Sequence, residues 1–196
     1  MELDIYDFDE TLFPFDSGSL FAFYCLLHYP WTIICLPMIA VGFLLMKLGL
    51  ISFTNFKKTC FMFVPLIPLK KAVNGFWNRH ENQVHKWFLE RKRACVVISA
   101  SPDFLLEEIA RRLPIENLIC TRHSRKSGII IGENCRDEEK VRRFREVFPD
   151  ARVIDVYSDS IKHDKPIFSL AEGQCYQVVK GELVPFDFKE KYGATV

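Results

Sequence analysis

The sequence predicts a doubly wound α/β fold, a mostly parallel sheet with helices on both faces, interrupted by an inserted α-helical cap. Three observations carry this. From residue 94 onward, short β-prone runs alternate with helical segments, the pattern of βαβ units. Two of the runs end in acidic clusters, and in such folds reactive groups gather at the carboxyl ends of the strands. Between the first and second runs, from about Ser17 to Leu89, the chain changes to long apolar and aromatic segments of helical length, broken by Pro30, Pro37, Pro65 and Pro68, as helices joined at prolines would be.

Taken in order, residues 3–8 (Leu-Asp-Ile-Tyr-Asp-Phe) read as a buried strand that runs into the polar Asp9-Glu-Thr11. Ala94-Cys-Val-Val-Ile98 is a second strand. It leads through Ser99-Ala-Ser101-Pro102 into an amphipathic helix over Asp103–Arg112, with Pro102 at its first turn. Leu118–Thr121 is a third strand and Gly128–Gly132 a hairpin arm. Asp137–Phe148 is a charged helix, Arg152–Val156 a strand, and Pro166–Ala171 a short helix, with further strands near 175–179 and 182–186. Residues 1–15 and 93–196 thus form the core, and residues 16–92 the cap.

The chain has 196 residues, 49% hydrophobic and 26% charged, with a net charge of +1, which fits one folded domain with a small insertion and excludes disorder. Neutrality hides an asymmetry. Ser17–Met46 carries no charge of either sign; residues 1–16 carry −6, residues 17–95 carry +8 and residues 96–196 carry −1. Seven scattered cysteines, with no C-x-x-C pair, argue against a disulfide framework or a zinc knuckle and for a reducing compartment. The acidic, strand-like first fifteen residues lack the pattern of a secretory leader, so a cytoplasmic location is expected. Nucleic-acid binding is disfavoured because the basic residues accompany apolar helices rather than an aromatic-interleaved strand face.

Asp7 and Asp9 lie two apart in an extended segment and so face one side. Ser158-Asp159-Ser160 and Asp164 follow the strand at 152–156. Carboxylates held that close repel unless a cation is present, and an oxygen-only set suits a hard ion such as Mg²⁺. Ser99 offers a hydroxyl ahead of a helix N-terminus, where a phosphate is favoured. Lys140 offers a fixed positive charge. Alone, each of these residues reads as a cap or a solvated charge; their order makes them informative.

In that order they resemble the haloacid dehalogenase superfamily of phosphohydrolases, with Asp7-Phe-Asp-Glu-Thr11, Ser99, Lys140 and Tyr157-Ser-Asp159 with Asp164 as the four motifs. Gly132-Glu-Asn-Cys135 leading to Glu139-Lys-Val-Arg-Arg143 is similar to the phosphoserine-phosphatase-like branch, whose helical cap is inserted between motifs one and two. Two features depart from the commonest pattern: Ser158 stands where Gly is frequent, and Asp164 follows Asp159 by five residues rather than four. The dehalogenase branch lacks the second Asp of the first motif, and Asp9 is present here, which favours phosphate over halide chemistry.

The resemblance implies a Rossmann-like core and a Mg²⁺-dependent phosphatase working through an aspartyl-phosphate. By it, Asp7 is the nucleophile and Asp9 the general acid and base. Mg²⁺ is held by Asp7, the Asp9 carbonyl and Asp159, and the phosphate by Ser99 and Lys140. Thr11 and Asp164 support the site. Glu10 and Lys162 are candidates for substrate contact, with His163 beside Lys162 in the acidic loop.

The cap is expected to decide the substrate. Ser17–Met46 is long enough to span a bilayer, yet Asp7 precedes it and Ser99 follows it, and both must meet on one side. A single crossing conflicts with that. One remaining reading is a re-entrant or interfacial hairpin bent near Pro30 and Pro37, with Tyr24, Tyr29 and Trp31 near headgroups and Lys57, Lys58, Lys70, Lys71 and Arg79 attracting anionic lipid. Another is a soluble bundle that buries the surface against itself or in a homodimer; a third, ranked last, is a short single anchor with rearranged topology. The first fits a similarity to the phosphatidylglycerophosphatase C type, whose caps also carry a long apolar segment, and implies a lipid phosphate such as phosphatidylglycerophosphate. The second fits a soluble phosphatase for phosphoserine or a sugar phosphate. A catalytically silent binding protein on the same fold would be favoured by loss of a motif residue, and all are present.

Overall fold

The structure, a computed structural model, describes residues 1–193. In chain order the elements are β1 (Glu2–Tyr6), α1 (Ser17–His28), α2 (Leu36–Lys47), α3 (Phe53–Cys60), α4 (Leu69–His80), α5 (Lys86–Leu89), β2 (Cys95–Pro102), α6 (Asp103–Arg112), β3 (Asn117–Thr121), α7 (Glu138–Val147), β4 (Arg152–Ser158), α8 (Ile161–Phe168), β5 (Cys175–Val179), β6 (Glu182–Phe186) and α9 (Phe188–Tyr192). The six strands form one sheet in the order β3-β2-β1-β4-β5-β6. All neighbours are parallel except β5 and β6. The strand order reverses at β1, so β1 and β4 border the crevice where a doubly wound sheet opens at its carboxyl edge.

Alternation along the strands divides the core in two. Leu3, Ile5, Val96 and Ile98 face one apolar layer with Phe144, Val153 and Phe168. Tyr6, Cys95 and Val97 face another, which is continuous with the aromatic side chains of α1, α4 and α5. Tyr6, Tyr157 and Tyr176 stand in register on β1, β4 and β5 and stack with centroids 4.4 and 4.7 Å apart, an aromatic ladder that ties three strands together. Trp77 on α4 is fully buried, packs edge-on to Phe8 and Phe13, and donates its indole N–H to the Leu105 carbonyl at 2.8 Å. It joins the helices between β1 and β2 to the rest of the molecule.

Those helices begin where the apolar run predicts. Asp16 caps α1 by accepting from the Ser19 N–H at 2.6 Å, and Ser52 caps α3 through the Asn55 N–H at 3.2 Å. A 3₁₀ segment, Pro30–Cys35, joins α1 to α2. The chain therefore bends at Pro30, while Pro37 sits in the first turn of α2, where a missing N–H costs nothing.

α2 departs from one half of the soluble-bundle reading, burial of the apolar run within the cap itself. Of its residues only Gly42 is buried, where a Cβ would meet the Thr59 hydroxyl of α3 at 3.2 Å. Ile34 is 75% exposed, Leu44 57% and Trp31 55%. Over Pro30–Lys47, which is apolar and long enough to cross a membrane, only 17% is buried. The cap does not bury this surface against itself.

Three smaller expectations are corrected. Gly128–Gly132 forms no hairpin arm beyond one bridge, His123 to Ile130, because both glycines take positive φ and turn the chain. The helix placed at Pro166–Ala171 instead starts at Ile161, with Ser160 accepting from the His163 N–H. Lys162 and His163 thus lie on a helix rather than in a loop. α9 was not anticipated, its five residues being too few to show a period. The seven cysteines are all free thiols.

Candidate active site

β1 delivers Asp7 to the crevice. The Asp7 N–H continues the sheet pairing by donating to the Tyr157 carbonyl at 2.9 Å. The buried Phe8 then anchors a tight turn, its carbonyl accepting from the N–H groups of Leu12 and Phe13. Glu10, at φ 57°, takes the left-handed backbone that swings the loop back. A cavity of about 580 Å³ opens here, lined by Asp7 and Asp9 from the loop, Ser99 and Ser101 from β2, Lys140 from α7, and Asp159 and Asp164 after β4.

Lys140 is 3% exposed, and its ammonium bridges Asp7 Oδ1 at 2.6 Å and Asp164 Oδ1 at 2.7 Å. Burial alone would depress the lysine, yet the two carboxylates hold its pKa above the ordinary value. Burial pushes Asp7 up, with Asp164 and Asp9 adding to the push and Lys140 opposing it. Asp164 is further fixed by the Ser158 hydroxyl at 2.6 Å. Asp164 therefore positions Lys140, and Ser158, where glycine is frequent in the motif, supplies one of its anchors.

Asp9 turns its carboxylate the other way. Oδ1 accepts from the Ser17 N–H at 2.8 Å and Oδ2 from the Ser101 hydroxyl at 2.5 Å; Ser101 in turn accepts from the Ser17 hydroxyl at 3.3 Å. Burial raises the Asp9 pKa, with Asp16 contributing and the serine donors opposing. Across the crevice the Thr11 hydroxyl accepts from the Asp159 N–H at 2.8 Å and donates to its Oδ1 at 3.2 Å. Burial, then Asp164 and Glu10, push Asp159 up to about 6.

Ser99 reaches the cavity from within β2 rather than ahead of a helix; α6 starts at Asp103. Its hydroxyl accepts from the Ser101 N–H at 3.0 Å. Glu10 lines the cavity, as does His163, but Lys162 does not and points to solvent from α8. Lys57, expected on a lipid-facing surface, instead enters the cavity and donates to the Ala100 carbonyl at 2.7 Å. Sequence reasoning also missed Ser17 and Ser101. Ser101 had a signal, its two-residue spacing from Ser99 on one strand, whereas Ser17 had none.

The donor set fits a hard cation. Six carboxylates line the cavity against Lys57, Arg136 and Lys140, an excess of negative charge that a phosphate dianion cannot enter unaided. Asp7 and Asp159 offer oxygen only, from opposite sides of the crevice. No three His, Cys, Asp or Glu side chains among the described residues stand together as metal ligands. Asp7 and Asp159 are a smaller set, to which the resemblance adds the Asp9 main-chain carbonyl, and such a set would leave positions for water and phosphate oxygens as Mg²⁺ prefers.

A family model described as haloacid dehalogenase-like hydrolase matches residues 5–169. Protein CicA from Caulobacter vibrioides (strain NA1000 / CB15N) is 37% identical over 93 residues, 44% of this chain and 41% of that protein, so the chain spans about two fifths of that relative's length. Among solved structures, a protein with unknown function from Bordetella pertussis Tohama I matches with TM-score 0.69 at 19% identity, over 85% of each chain. A phosphoserine phosphohydrolase-like protein from Francisella tularensis subsp. tularensis SCHU S4 matches at TM-score 0.60 and 18% identity, over 93% of this chain and 90% of that one. A phospho-aspartyl intermediate analogue of phosphoserine phosphatase matches at TM-score 0.58 and 16% identity, over 89% and 85%.

Proposed function

The chain belongs to the haloacid dehalogenase-like hydrolases and is an enzyme with the fold of the phosphoserine-phosphatase-like branch; from that premise we propose that it is a Mg²⁺-dependent phosphate monoester hydrolase working through an aspartyl-phosphate. One observation carries the proposal: the Lys140 ammonium, buried between Asp7 and Asp164, fixes a nucleophile and a phosphate-binding charge in one place.

Lys140 engages Asp7 through Oδ1, which leaves Oδ2 to attack phosphorus in line with the leaving oxygen. The P–O bond to the substrate breaks as the Asp7–phosphorus bond forms. Asp9, its pKa raised by burial, holds the proton that the leaving alkoxide takes. As a carboxylate Asp9 then accepts a proton from water, which attacks phosphorus and returns Asp7 and inorganic phosphate. Ser101 and the Ser17 N–H keep Asp9 aimed throughout. Ser99 and Lys140 bind the nonbridging oxygens, with Asp164 and Ser158 holding Lys140 in place. A Mg²⁺ ion held by Asp7, Asp159 and the Asp9 carbonyl would neutralise phosphoryl charge and orient the group. The test is turnover of p-nitrophenyl phosphate in Mg²⁺ by the purified protein. Asp7→Asn should lose at least about 10³-fold, and an undiminished rate in that variant would sink the assignment.

The leaving group we read as part of a lipid, with the cap lying on a cytoplasmic membrane surface. What supports this is the exposed face of the Pro30–Lys47 segment, whose Leu36 and Ile39 also line the mouth of the cavity. An apolar surface thus runs from solvent to the reacting groups. Lys47, Lys70, Lys71 and Arg79 are exposed on the cap and complement anionic headgroups. Co-sedimentation with vesicles of mixed anionic and neutral phospholipid should retain the protein, and replacing Ile34 and Leu44 by Glu should release it. A dimer through α2 with no vesicle binding overturns this reading and favours a soluble phosphate substrate.

A further inference from the structure

The inserted helices carry a second concavity, apart from the catalytic one. From Ser17 to His80 the chain has no Asp or Glu, so a groove lined by that segment alone meets only cations and neutral groups. Such a groove, of about 970 Å³, opens between the end of α1 and the start of α4. Tyr24 and Tyr29 line it from the α1 side, and Lys70, Lys71, Asn74 and Asn78 from α4. It shares no lining residue with the catalytic cavity.

The groove has a fixed wall and a surplus of donors. A Cβ on Gly75 would lie 2.5 Å from the Tyr24 hydroxyl oxygen, so the missing side chain lets the phenol lie against α4, in a helix interior where glycine is otherwise disfavoured. His28 stacks on the Tyr24 ring at 4.0 Å, and the Arg79 guanidinium stands 5.5 Å from its centroid. The carbonyls at this end of α1 are already paired, Tyr24 with His28 Nδ1 and Cys25 with the Tyr29 N–H, each at 2.8 Å. Asn74 and Asn78 give their Oδ1 atoms to Arg112, which is itself paired with Glu81 and Glu108. Two amide Nδ2 groups are left for the groove, together with the exposed ammonium groups of Lys70 and Lys71, which pair with no carboxylate among the described residues. Pro68 gives α4 no side-chain cap, and the N–H groups of the first turn add to the donors.

The groove adjoins the exposed apolar segment. Tyr29 leads directly into Pro30–Lys47, and its ring stands edge-on to Trp31 at 5.7 Å. The Trp31 indole N–H donates to the Leu66 carbonyl at 2.9 Å, which pins the start of that segment beside the chain entering α4. Cations and donors thus border aromatic and apolar surface, the arrangement that suits a charged headgroup at a bilayer interface. A phosphodiester offers two charged nonbridging oxygens and two ester oxygens, and so engages more of these donors than a carboxylate does.

We propose that the groove between α1 and α4 binds the phosphodiester headgroup of an anionic phospholipid that is not the substrate, and so fixes the orientation of the cap on the membrane. This rests on the membrane reading above and adds a discrete lipid site to it.

The experiment measures binding of the full chain, in EDTA, to phosphatidylcholine vesicles that contain either phosphatidylglycerol or a diacylglycerol succinate, the two matched in surface charge. Phosphatidylglycerol is a phosphodiester, outside the monoester chemistry of the catalytic cavity. The wild type should bind its vesicles about tenfold more tightly than the succinate vesicles, as charged hydrogen bonds made to one anion and not the other would give. Gly75→Leu alters no charge but displaces the Tyr24 hydroxyl and fills the groove, so the preference should vanish; attraction to surface charge alone would be unmoved by it. Lys70→Gln/Lys71→Gln changes only exposed side chains and serves as the readout if Gly75→Leu does not fold. Attraction of those lysines to any anionic surface would weaken both affinities equally, whereas loss of the headgroup site lowers their ratio. Turnover of p-nitrophenyl phosphate in Mg²⁺ should be unchanged in both variants and reports that they are folded. Equal wild-type binding to the two anionic vesicles, or a preference that survives in the folded variants, overturns the headgroup site while leaving the membrane reading intact. A wild type that binds neither vesicle overturns both.

Discussion

Replacing Lys140 by Met tests the electrostatic centre of the site. Asp7, Lys140 and Asp164 are 7%, 3% and 3% exposed, and the lysine lies within 2.7 Å of both carboxylates. Methionine fills nearly the same volume, so the loss is of charge rather than packing. Removing one member of a buried ionic group costs about 3–5 kcal/mol, here at neutral pH, where two carboxylates would share a dry site. That cost depends on pH. Burial already raises Asp7, and Lys140 is the main influence opposing the rise; without it the folded state keeps a proton on Asp7 that the unfolded chain releases. A carboxyl raised on folding is stabilising relative to higher pH and loses that advantage as pH climbs from the unfolded to the folded pKa. The variant should therefore regain about 1.4 kcal/mol per pH unit on acidification. Urea denaturation followed by circular dichroism in EDTA, at pH 7.5 and 5.5, measures it, with Lys140→Met/Asp164→Asn as the partner variant. That double variant should recover part of the loss. A penalty below about 1 kcal/mol at pH 7.5, or one equal at both pH values, would refute the reasoning.

Three further outcomes follow from the geometry. Ser101→Ala removes a donor from Asp9 Oδ2 that lowers the pKa of that carboxyl; kcat should fall by about tenfold and the pH profile of kcat should shift upward, read from steady-state rates. Mg²⁺ affinity should strengthen between pH 5 and 7, because Asp159 is pushed up to about 6 and must release its proton to ligate; titration of the thermal midpoint with Mg²⁺ at each pH checks this. Gly128→Ala should destabilise the protein by more than about 1 kcal/mol, since φ is +73° and a Cβ would lie 1.8 Å from the Phe61 carbonyl, and a lowered melting temperature would report it.

Much of the core could be read directly. The helix over Asp103–Arg112 is found as predicted, as are the strands at 175–179 and 182–186, because each pairs a clear period with turn residues at its ends. The helix of α8 was misplaced because Pro166 reads as a helix start by its local preference. In fact it lies in the second turn of a helix whose cap is Ser160. The hairpin arm failed because the apolar Ile129-Ile-Ile131 reads as a strand, while the flanking glycines turn it away from any partner.

The candidate site divides in the same way. Asp7, Asp9, Ser99, Lys140, Asp159 and Asp164 could be singled out as candidates by residue type and order along the chain, and the structure gathers all six around one cavity. Ser17 and Ser158 were not legible as ligands of carboxylates, since a serine's meaning depends on what stands within about 3 Å of it.

The sequence by itself determined the order of acid, hydroxyl and cation, the family they belong to, and the concentration of apolar residues between the first two strands. Only the tertiary structure decided where charge and apolar surface end up. Lys57, one of a run of basic residues, turned inward beside Ala100, while the neighbouring α2 kept Leu36, Phe43 and Leu44 in solvent. The reason is physical: hydrophobicity and charge are properties of a residue, but burial and pairing are properties of its neighbours. Those neighbours are brought in by packing across 43 residues for Lys57 and Ala100 and 133 for Lys140 and Asp7.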